Sequence, residues 1–268
     1  MKFNIALCQI GTEKDKQINR QRAERSVTGA ADAGARIVAL PEMWNCPYDN
    51  AFFRPYGEPA DGETVQFMSE LAKRHRIYLV GGSIPELADG NVYNTSFIFN
   101  PQGEVIGRHR KAHMFDIDVE NGIRFMESET LTPGDEVTVV DTEFCRIGVA
   151  ICFDVRFPEL TRRMALDGAR LVILPAAFNM TTGPAHWELS MRARALDNQL
   201  YFAACGPARN ENASYVAWGH SMVCDPWGRV ISETEEKEDI VFAEIDTEFV
   251  DSVRRQLPLL QNRRPELY

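Results

Sequence analysis

The sequence predicts an α/β fold in which two mixed β-sheets pack face to face between outer helices, a four-layer αββα sandwich. Short apolar runs alternate with amphipathic helical patterns, and each half of the chain includes a hairpin-like stretch. The two halves follow the same plan, so each is expected to form a sheet with helices on one face. Burying the remaining sheet faces against each other completes the sandwich.

The first half is predicted to be β-α-β-α-β followed by antiparallel strands. Its first helix ends before Gly34, because a glycine just past the last turn adopts the left-handed conformation that stops a helix. The predicted elements are, in order, a strand at 3–8, a helix at 16–33, a strand at 36–40, a helix at 63–75, a strand at 77–83 and a hairpin at 91–111.

The second half repeats this order and adds a C-terminal segment. Acidic residues 233–239 lie between two strand-like runs and are predicted to form the solvated tip of a hairpin. The apolar tail at 257–268 is expected to dock on the body of the protein or on a partner subunit. The other predicted elements are a strand at 145–153, a helix at 158–168, a strand at 170–175, a helix at 184–198, a strand at 199–205, a hairpin around 224–230 and a helix at 247–256.

The two halves also resemble each other in sequence. Residues 34–41 match residues 168–175, and residues 100–106 match residues 225–231. An internal duplication explains these matches, and so does the shared physics of βαβ units; the sequence favours neither explanation. No linker or change of composition divides the chain, so residues 1–268 are expected to form a single domain.

Charge and composition exclude several classes of function. Among the 268 residues, 39 Asp and Glu outnumber 29 Lys and Arg, which gives a net charge of −10. Such a field repels nucleic acid and anionic membranes, and no basic cluster is interleaved with aromatic residues. The N-terminal residues lack the apolar core of a signal peptide, and no apolar stretch approaches the roughly 20 residues of a membrane span. We therefore expect a cytoplasmic protein that binds neither nucleic acid nor membranes.

The six cysteines do not have the pattern of a disulfide scaffold or of a zinc site. Several lie within apolar, strand-like runs, and the sequence has no CxxC motif and no Cys/His spacing typical of zinc. Reduced thiols are therefore expected, and the sequence offers no site for a metal or an organic cofactor.

Cys152 is the strongest candidate for a reactive group. It follows an apolar strand, and a helix begins shortly afterwards at Pro158, so its thiol is presented at a strand-to-helix turn near backbone N–H groups. Cysteines in buried strands are usually inert packing groups, and this alternative stays open for Cys152. A thiol also needs a nearby base or cation, and none of the five histidines has surroundings typical of a cysteine protease.

Charged residues follow two other predicted strands. Glu42 follows an apolar strand at the edge where open α/β sheets bind ligands, and the equivalent position of the second half is Ala176. A glutamate is therefore not required by the repeated fold at this position. Lys111 ends a strand within a basic run, where a solvated face is the ordinary explanation. Glu127 lies on a loop and by its position alone indicates little.

Taken in order along the chain, these segments resemble the nitrilase superfamily of carbon–nitrogen hydrolases, and most closely its omega-amidase branch. The similar segments are KAHMFDIDV, FMESETLTPGD, AICFDVRFPEL, AFNMTTGPAHWEL and ASYVAWGHS. The resemblance implies the αββα fold and homo-oligomers, commonly dimers. It also implies four catalytic residues: Glu42 as general base, Lys111 as cationic stabiliser, Cys152 as nucleophile and Glu127 as accessory glutamate.

The same resemblance implies a substrate and a mechanism. An omega-amidase hydrolyses the terminal amide of α-ketoglutaramate or α-ketosuccinamate, both small anions, to a dicarboxylate and ammonia through a cysteine thioester. Lys111 and the backbone N–H of Phe153 would hold the oxyanion. Arg156 is the candidate for the substrate carboxylate, because its planar fork suits bidentate pairing, although a surface or helix-start ion pair is an equal alternative. Phe178 is expected to line the same mouth.

Three alternatives compete with this interpretation. Another amidase of the same superfamily, acting on deaminated glutathione or on N-carbamoyl amino acids, would share the catalytic residues and differ at the rim of the pocket. A catalytically silent scaffold on the same fold is a different class, and the presence of Glu42, Lys111 and Cys152 argues against it. A redox-sensing role for Cys152 is weaker, because the sequence shows no obvious resolving partner.

Overall fold

The computed structural model describes residues 1–120 and 123–267 and has the α/β architecture that the sequence predicts. The helices are α1 Lys16–Asp32, α2 Asn50–Tyr56, α3 Glu63–His75, α4 Pro158–Leu166, α5 Gly183–Asn198 and α6 Thr247–Gln256. The strands are β1 Lys2–Gln9, β2 Ile37–Ala39, β3 Tyr78–Val80, β4 Ile84–Ala88, β5 Asn91–Phe99, β6 Val105–Arg110, β7 Asp116–Asp118, β8 Arg124–Met126, β9 Thr138–Asp141, β10 Arg146–Val149, β11 Leu171–Pro175, β12 Tyr201–Cys205, β13 Met222–Cys224, β14 Val230–Glu233 and β15 Asp239–Asp246.

Local sequence signals explain where several helices begin and end. The carboxylate of Asp15 accepts a hydrogen bond from the Gln17 N–H and caps α1, and Asp246 caps α6 in the same way. After α1 the chain turns at Gly34, whose φ of +91° lies in the left-handed region. Helix α3 has the predicted bounds, and Arg76 ends it in a left-handed conformation.

The first sheet joins the two ends of the chain. Its strand order is β15-β1-β2-β3-β5-β4, and β6 pairs with β5. Strands β1, β2 and β3 are parallel, as expected for successive βαβ units, whereas β5 and β6 form the predicted antiparallel hairpin. Strand β15 pairs antiparallel with β1 along its whole length, from Asp239 to Asp246.

The second sheet has the order β14-β13-β12-β11-β10-β9. Strands β10, β11 and β12 are parallel, and antiparallel strands flank them on both sides. The matching segments of the two halves therefore occupy matching places. Residues 34–41 include β2, and residues 168–175 include β11, each a central parallel strand.

Alternate residues of the strands separate the layers. Leu7 of β1 and Val149 of β10 belong to one apolar cluster that lies between the two sheets. Cys8, the next residue of β1, packs instead with side chains of α1 and α3. Leu174 of β11 likewise packs with side chains of α4 and α5. Each sheet thus has one face on its helices and one face on the other sheet, which confirms the four-layer sandwich.

The prediction for residues 233–239 is wrong. This segment is exposed along much of its length, as expected, but it is not the tip of a hairpin. Strand β14 before it belongs to the second sheet, and β15 after it belongs to the first. The segment is therefore a crossover between the sheets, and Gln9 holds it by donating from Nε2 to the carbonyls of Glu235 and Lys237.

Smaller elements complete the described part of the chain. Helix α2, strand β4 and the β7–β8 ribbon have no counterpart among the predicted elements. In the C-terminal tail, Leu267 is exposed and Leu259 and Leu260 are half-buried. Tyr268 lies outside the described residues. None of the helices in residues 1–120 and 123–267 is long and apolar enough to cross a membrane.

Candidate active site

Three of the four predicted catalytic residues follow strands of the two sheets and meet at one place. Glu42 follows β2 and Lys111 follows β6, both in the first sheet, whereas Cys152 follows β10 in the second. Lys111 Nζ lies 2.9 Å from Glu42 Oε1, and the charges of both groups act on the Cys152 thiol. All three side chains are buried.

A short turn fixes Glu42 after β2. The backbone N–H of Met43, a residue with a φ of +49°, donates to Ser83 Oγ at 3.0 Å. The indole N–H of Trp44 donates to the carbonyl of Gly81 at 2.8 Å. The turn packs tightly on Gly82, since a Cβ there would approach the carbonyl oxygen of Pro41 to 2.2 Å.

Glu127, the fourth predicted residue, lies beside this group. Its Oε2 lies 2.8 Å from Lys111 Nζ and accepts the backbone N–H of Phe115 at 2.7 Å. Its Oε1 lies 2.9 Å from Lys111 Nζ and accepts the Tyr48 hydroxyl at 2.5 Å. The buried ammonium of Lys111 therefore lies between two carboxylates, with Glu42 as the other.

Asn94 completes the surroundings of Glu42. The Asn94 amide donates to Glu42 Oε1 at 2.8 Å, and Oε1 also accepts from Lys111. Glu42 Oε2 accepts no hydrogen bond from an N–H or O–H among the described residues. This second oxygen is therefore available to take a proton.

Burial and neighbouring charges set the protonation of the site. Burial raises the pKa of Glu42, Lys111 lowers it and the Glu127 charge raises it again, so the pKa lies above its ordinary value. Burial lowers the pKa of Lys111, but Glu127 and Glu42 outweigh this effect and keep the ammonium charged. Burial and the Glu42 charge raise the pKa of the Cys152 thiol well above its ordinary value. The resting site thus pairs a neutral thiol with a carboxylate poised to accept its proton.

Cys152 lies on a strained turn. Its φ of +45° is left-handed, which is uncommon for a residue with a side chain, and a 3₁₀ turn covers Cys152–Arg156. The backbone N–H of Ala177 donates to the Cys152 sulfur and lowers the pKa of the thiol in opposition to burial. This strand-to-helix turn matches the predicted presentation of the thiol.

The predicted substrate-binding residues lie beside this turn. The guanidinium of Arg156 lies 5.5 Å from the ring centroid of Phe153 and 5.0 Å from that of Phe178. One of its nitrogens lies 3.2 Å from His186 Nδ1, and its Nε is buried with no partner among the described residues. Burial lowers the pKa of Arg156. Among the described residues, Arg156 forms no ion pair with a carboxylate, and the neighbouring groups that act on its charge are Cys152 and Tyr215.

A cavity of about 770 Å³ opens next to Glu42. Glu42, Tyr48, Ala177 and Tyr215 form part of its wall, and the rings of Tyr48 and Tyr215 lie 4.5 Å apart. Lys111, Cys152, Arg156 and Phe178 are not part of that wall. Its rim includes polar side chains from the loop after β1 and from the loop after β12, among them Thr12, Lys14, Asn210 and Ser214.

Sequence reasoning missed Tyr48, Asn94 and Asp154. All three are polar and largely or wholly buried; Tyr48 and Asn94 contact the carboxylates of the site, and Asp154 belongs to the turn that carries Cys152. The sequence does contain a signal for Asp154. It lies within the apolar segment around Cys152, and a carboxylate buried there needs hydrogen-bond partners. His109 and His113 bond Asp154 rather than Cys152. Across the described residues, no group of three His, Cys, Asp or Glu side chains is arranged to hold a metal ion.

Comparisons with known proteins find relatives that match nearly the whole chain. The family model for carbon–nitrogen hydrolases matches residues 4–255. The chain is 51% identical over 267 residues to a protein named Omega-amidase NIT2 from Danio rerio, covering 100% of this chain and 96% of the relative. It is 49% identical to Omega-amidase NIT2 from Mus musculus, over 99% and 96% of the two chains. The crystal structure of Saccharomyces cerevisiae Nit3, described as a member of branch 10 of the nitrilase superfamily, is 45% identical, covers 98% of this chain and 97% of its own, and superposes with a TM-score of 0.91. The chain belongs to the carbon–nitrogen hydrolase family.

Proposed function

We propose that this protein is an omega-amidase that hydrolyses the terminal amide of small omega-amido α-keto acids, such as α-ketoglutaramate and α-ketosuccinamate, to a dicarboxylate and ammonia. The observation that carries the proposal is that Glu42, Lys111 and Cys152 lie together, next to a cavity that Glu42 lines. The chain also belongs to the carbon–nitrogen hydrolase family. Full-length similarity to relatives named omega-amidase supports the choice of branch.

In the first half of the reaction, Glu42 takes the proton of the Cys152 thiol and the sulfur attacks the amide carbon. The raised pKa values of both groups suit this transfer, because the thiol does not ionise alone and the carboxylate is basic enough to accept the proton. Lys111 and the backbone N–H of Phe153 stabilise the oxyanion. Protonated Glu42 then gives its proton to the nitrogen and the carbon–nitrogen bond breaks. Ammonia departs, and the acyl group stays on Cys152 as a thioester.

In the second half, Glu42 removes a proton from water, which attacks the thioester carbon. The carbon–sulfur bond breaks, the acid is released, and the thiol regains its proton. Glu127 supports both halves without touching the reacting atoms, because its carboxylate and that of Glu42 hold the Lys111 ammonium between them. The residues described here require no cofactor for these steps.

Arg156 is proposed to bind the carboxylate of the substrate. Its guanidinium is half-buried near Cys152, has no carboxylate partner, and is flanked by Phe153 and Phe178. A desolvated cation without a counter-ion favours an anionic ligand, and a planar guanidinium suits a carboxylate. The two rings would then line the path of the small substrate.

We further propose that residues 1–268 act as one domain in a homo-oligomer, such as a dimer, in a reducing compartment such as the cytoplasm. Pairing of β1 with β15 supports the single domain. The exposed apolar side chains of Leu189 and Leu196 on α5, with Trp227 in the neighbouring β13–β14 turn, support self-association. The six cysteines are unpaired, which supports a reducing environment. Sedimentation velocity measures the assembly, and a monomer at micromolar concentration contradicts that part of the proposal.

The substrate is tested by ammonia release from a panel. We expect release from α-ketoglutaramate and much less from glutamine or an N-carbamoyl amino acid at equal concentration. Release from the carbamoyl compound alone would support the same catalytic mechanism but identify N-carbamoyl amino acids as the substrate class. No release from any of the panel would contradict the proposed activity and favour a silent scaffold.

A further inference from the structure

The catalytic groups depend on the relative position of two sheets. Glu42 and Lys111 are carried by the first sheet, and Cys152 is carried by the second. Between the sheets lies a layer of apolar side chains, whose packing is tight but not directional. Placing a sulfur against a carboxylate to within a fraction of an ångström calls for a directional link between the sheets near the site.

Asp154 forms such a link. It lies two residues after Cys152 and is fully buried. Its Oδ2 accepts the ring N–H of His109 at 2.9 Å, and its Oδ1 accepts the ring N–H and the backbone N–H of His113 at 2.7 and 3.0 Å. His109 belongs to β6, and His113 follows it on the segment that carries Lys111. The Asp154 carboxylate therefore links the turn that carries Cys152, after β10 of the second sheet, to the segment that carries Lys111, after β6 of the first sheet.

The same carboxylate also holds the strained turn. Asp154 Oδ2 accepts the backbone N–H of Ile151 at 3.0 Å, directly before Cys152 with its φ of +45°. A left-handed conformation at a residue with a side chain persists only where its surroundings hold it. With this bond, each oxygen of Asp154 accepts two hydrogen bonds, so the side chain has no acceptor capacity left for a substrate.

Electrostatics agree with an ionised Asp154. Burial raises the pKa of its carboxyl, but the hydrogen bonds from His109 and His113 outweigh burial and hold the pKa well below its ordinary value. On the far side of the His109 ring, Nδ1 contacts Thr138 Oγ1 at 3.1 Å. The Thr138 hydroxyl donates in turn to the carbonyl of Arg108 at 3.0 Å, so the ring is fixed from both sides.

We propose that Asp154 is a positioning residue that sets Cys152 against Glu42 and Lys111, acting through His109 and His113. This inference rests on the proposed role of Cys152 as nucleophile. Asp154 touches none of the reacting atoms, so its loss changes the reactivity of the thiol and kcat, while KM for the amide stays close to that of the wild type.

The test measures alkylation of Cys152 by iodoacetamide against pH, read by peptide mass spectrometry, together with kcat and KM. In Asp154→Asn, an N–H₂ group takes the place of one carboxylate oxygen, and that oxygen accepts two hydrogen bonds in the wild type. We expect the alkylation rate near neutral pH and kcat to fall by about 10²-fold, because a misplacement near 1 Å has that effect. We expect KM to change by less than about threefold, since the lost interaction is made outside the substrate site.

Asp225→Asn is the matched control. Asp225 is also buried, and its carboxylate accepts the backbone N–H groups of Trp227 and Arg229 and the Nε–H of Arg229 in the β13–β14 turn. This variant is expected to lower the melting temperature and leave the alkylation of Cys152 unchanged. If Asp225→Asn slows alkylation as much as Asp154→Asn does, the effect is general destabilisation and the proposal is wrong.

His109 provides a second pair of variants should Asp154→Asn not fold. Glutamine carries an N–H near the position of His109 Nε2, whereas leucine fills similar space without a donor. We expect His109→Gln to alkylate within a few-fold of the wild type and His109→Leu to lose about 10²-fold. Equal rates in the two folded variants would overturn the inference. Ammonia release that survives in Cys152→Ala would instead overturn the proposed function, independently of these rates.

Discussion

Lys111 Nζ lies 2.8 Å from Glu127 Oε2, and both side chains are fully buried. Glu42 approaches the same ammonium at 2.9 Å, so the buried charges at this point are one cation and two carboxylates. The pair of carboxylates keeps Lys111 charged despite its burial, and Lys111 in turn opposes the rise that burial causes in the pKa of Glu42. The base and the stabilising cation of the proposed reaction therefore depend on each other.

Glu127→Gln should destabilise the fold as well as slow hydrolysis. Lys111 keeps its pairing with Glu42, but the new amide N–H₂ group faces donors on Lys111, Tyr48 or Phe115, and a buried donor left without an acceptor costs about 1–3 kcal/mol. Urea unfolding measures this loss. Glu143→Gln is the control, because Glu143 pairs with Arg36 at 3.1 Å on the exposed surface, where such a pair contributes about 0–1 kcal/mol. Equal losses in the two variants would contradict the buried, coupled arrangement.

In a plot of kcat/KM against pH, activity should be lost on the acid side at a pH above the ordinary glutamate pKa of about 4.3. Glu42 acts as a base only when ionised, and burial together with the Glu127 charge raises its pKa beyond what Lys111 reverses. Activity is therefore lost as the pH falls through this raised pKa. A pH profile of kcat/KM from acid to neutral checks the pH at which this loss occurs, and a rate that is constant down to about pH 4.3 would show that Glu42 is not the titrating base.

Glu42→Gln should slow alkylation of Cys152 near neutral pH. Burial is the largest effect that raises the pKa of the Cys152 thiol, so the thiolate forms only when Glu42 takes the proton. Losing this base outweighs the smaller fall in the thiol pKa that comes from removing the Glu42 charge. Removing this base is expected to reduce the alkylation rate by about 10²-fold or more. Iodoacetamide labelling followed by peptide mass spectrometry measures the rate at Cys152. Labelling at the wild-type rate would mean that the thiol is activated by some other group.

Arg156→Ala should raise KM for α-ketoglutaramate. A charge-assisted, bidentate contact with a carboxylate contributes about 1.5–3 kcal/mol, which corresponds to roughly 10- to 150-fold in binding. Arg163→Ala is the control, since Arg163 forms an exposed pair with Asp167 on α4 and lies outside the proposed site. Steady-state kinetics of both variants decide the matter. An unchanged KM in Arg156→Ala would mean that another group binds the carboxylate.

Much of the fold follows from local sequence. The alternation of strands and helices, the stop at Gly34 and the hairpin of β5 and β6 are all determined by neighbours along the chain. The path of residues 233–239 is not. A solvated acidic segment between two strands looks the same whether the strands pair with each other or belong to different sheets. What decides it is the pairing of β15 with β1, at the opposite end of the chain.

The site shows the same division. Glu42, Lys111 and Cys152 each follow a strand, and that position is visible in the sequence. Their meeting is a tertiary property, as are the contacts of Tyr48 with Glu127 and of Asn94 with Glu42. Residues such as these become part of a site only when loops from separate strands converge, and no periodicity or spacing along the chain encodes that convergence.

The most direct test of this account compares ammonia release from α-ketoglutaramate by the wild type, by Cys152→Ala and by Cys145→Ala. Cys145 lies just before β10, is half-buried and has no proposed role. We expect Cys145→Ala to retain kcat within a few-fold and Cys152→Ala to lose it by about 10⁴-fold or more, because the covalent route disappears. Release that persists in Cys152→Ala at a rate near that of the wild type would contradict the central claim that Cys152 is the nucleophile.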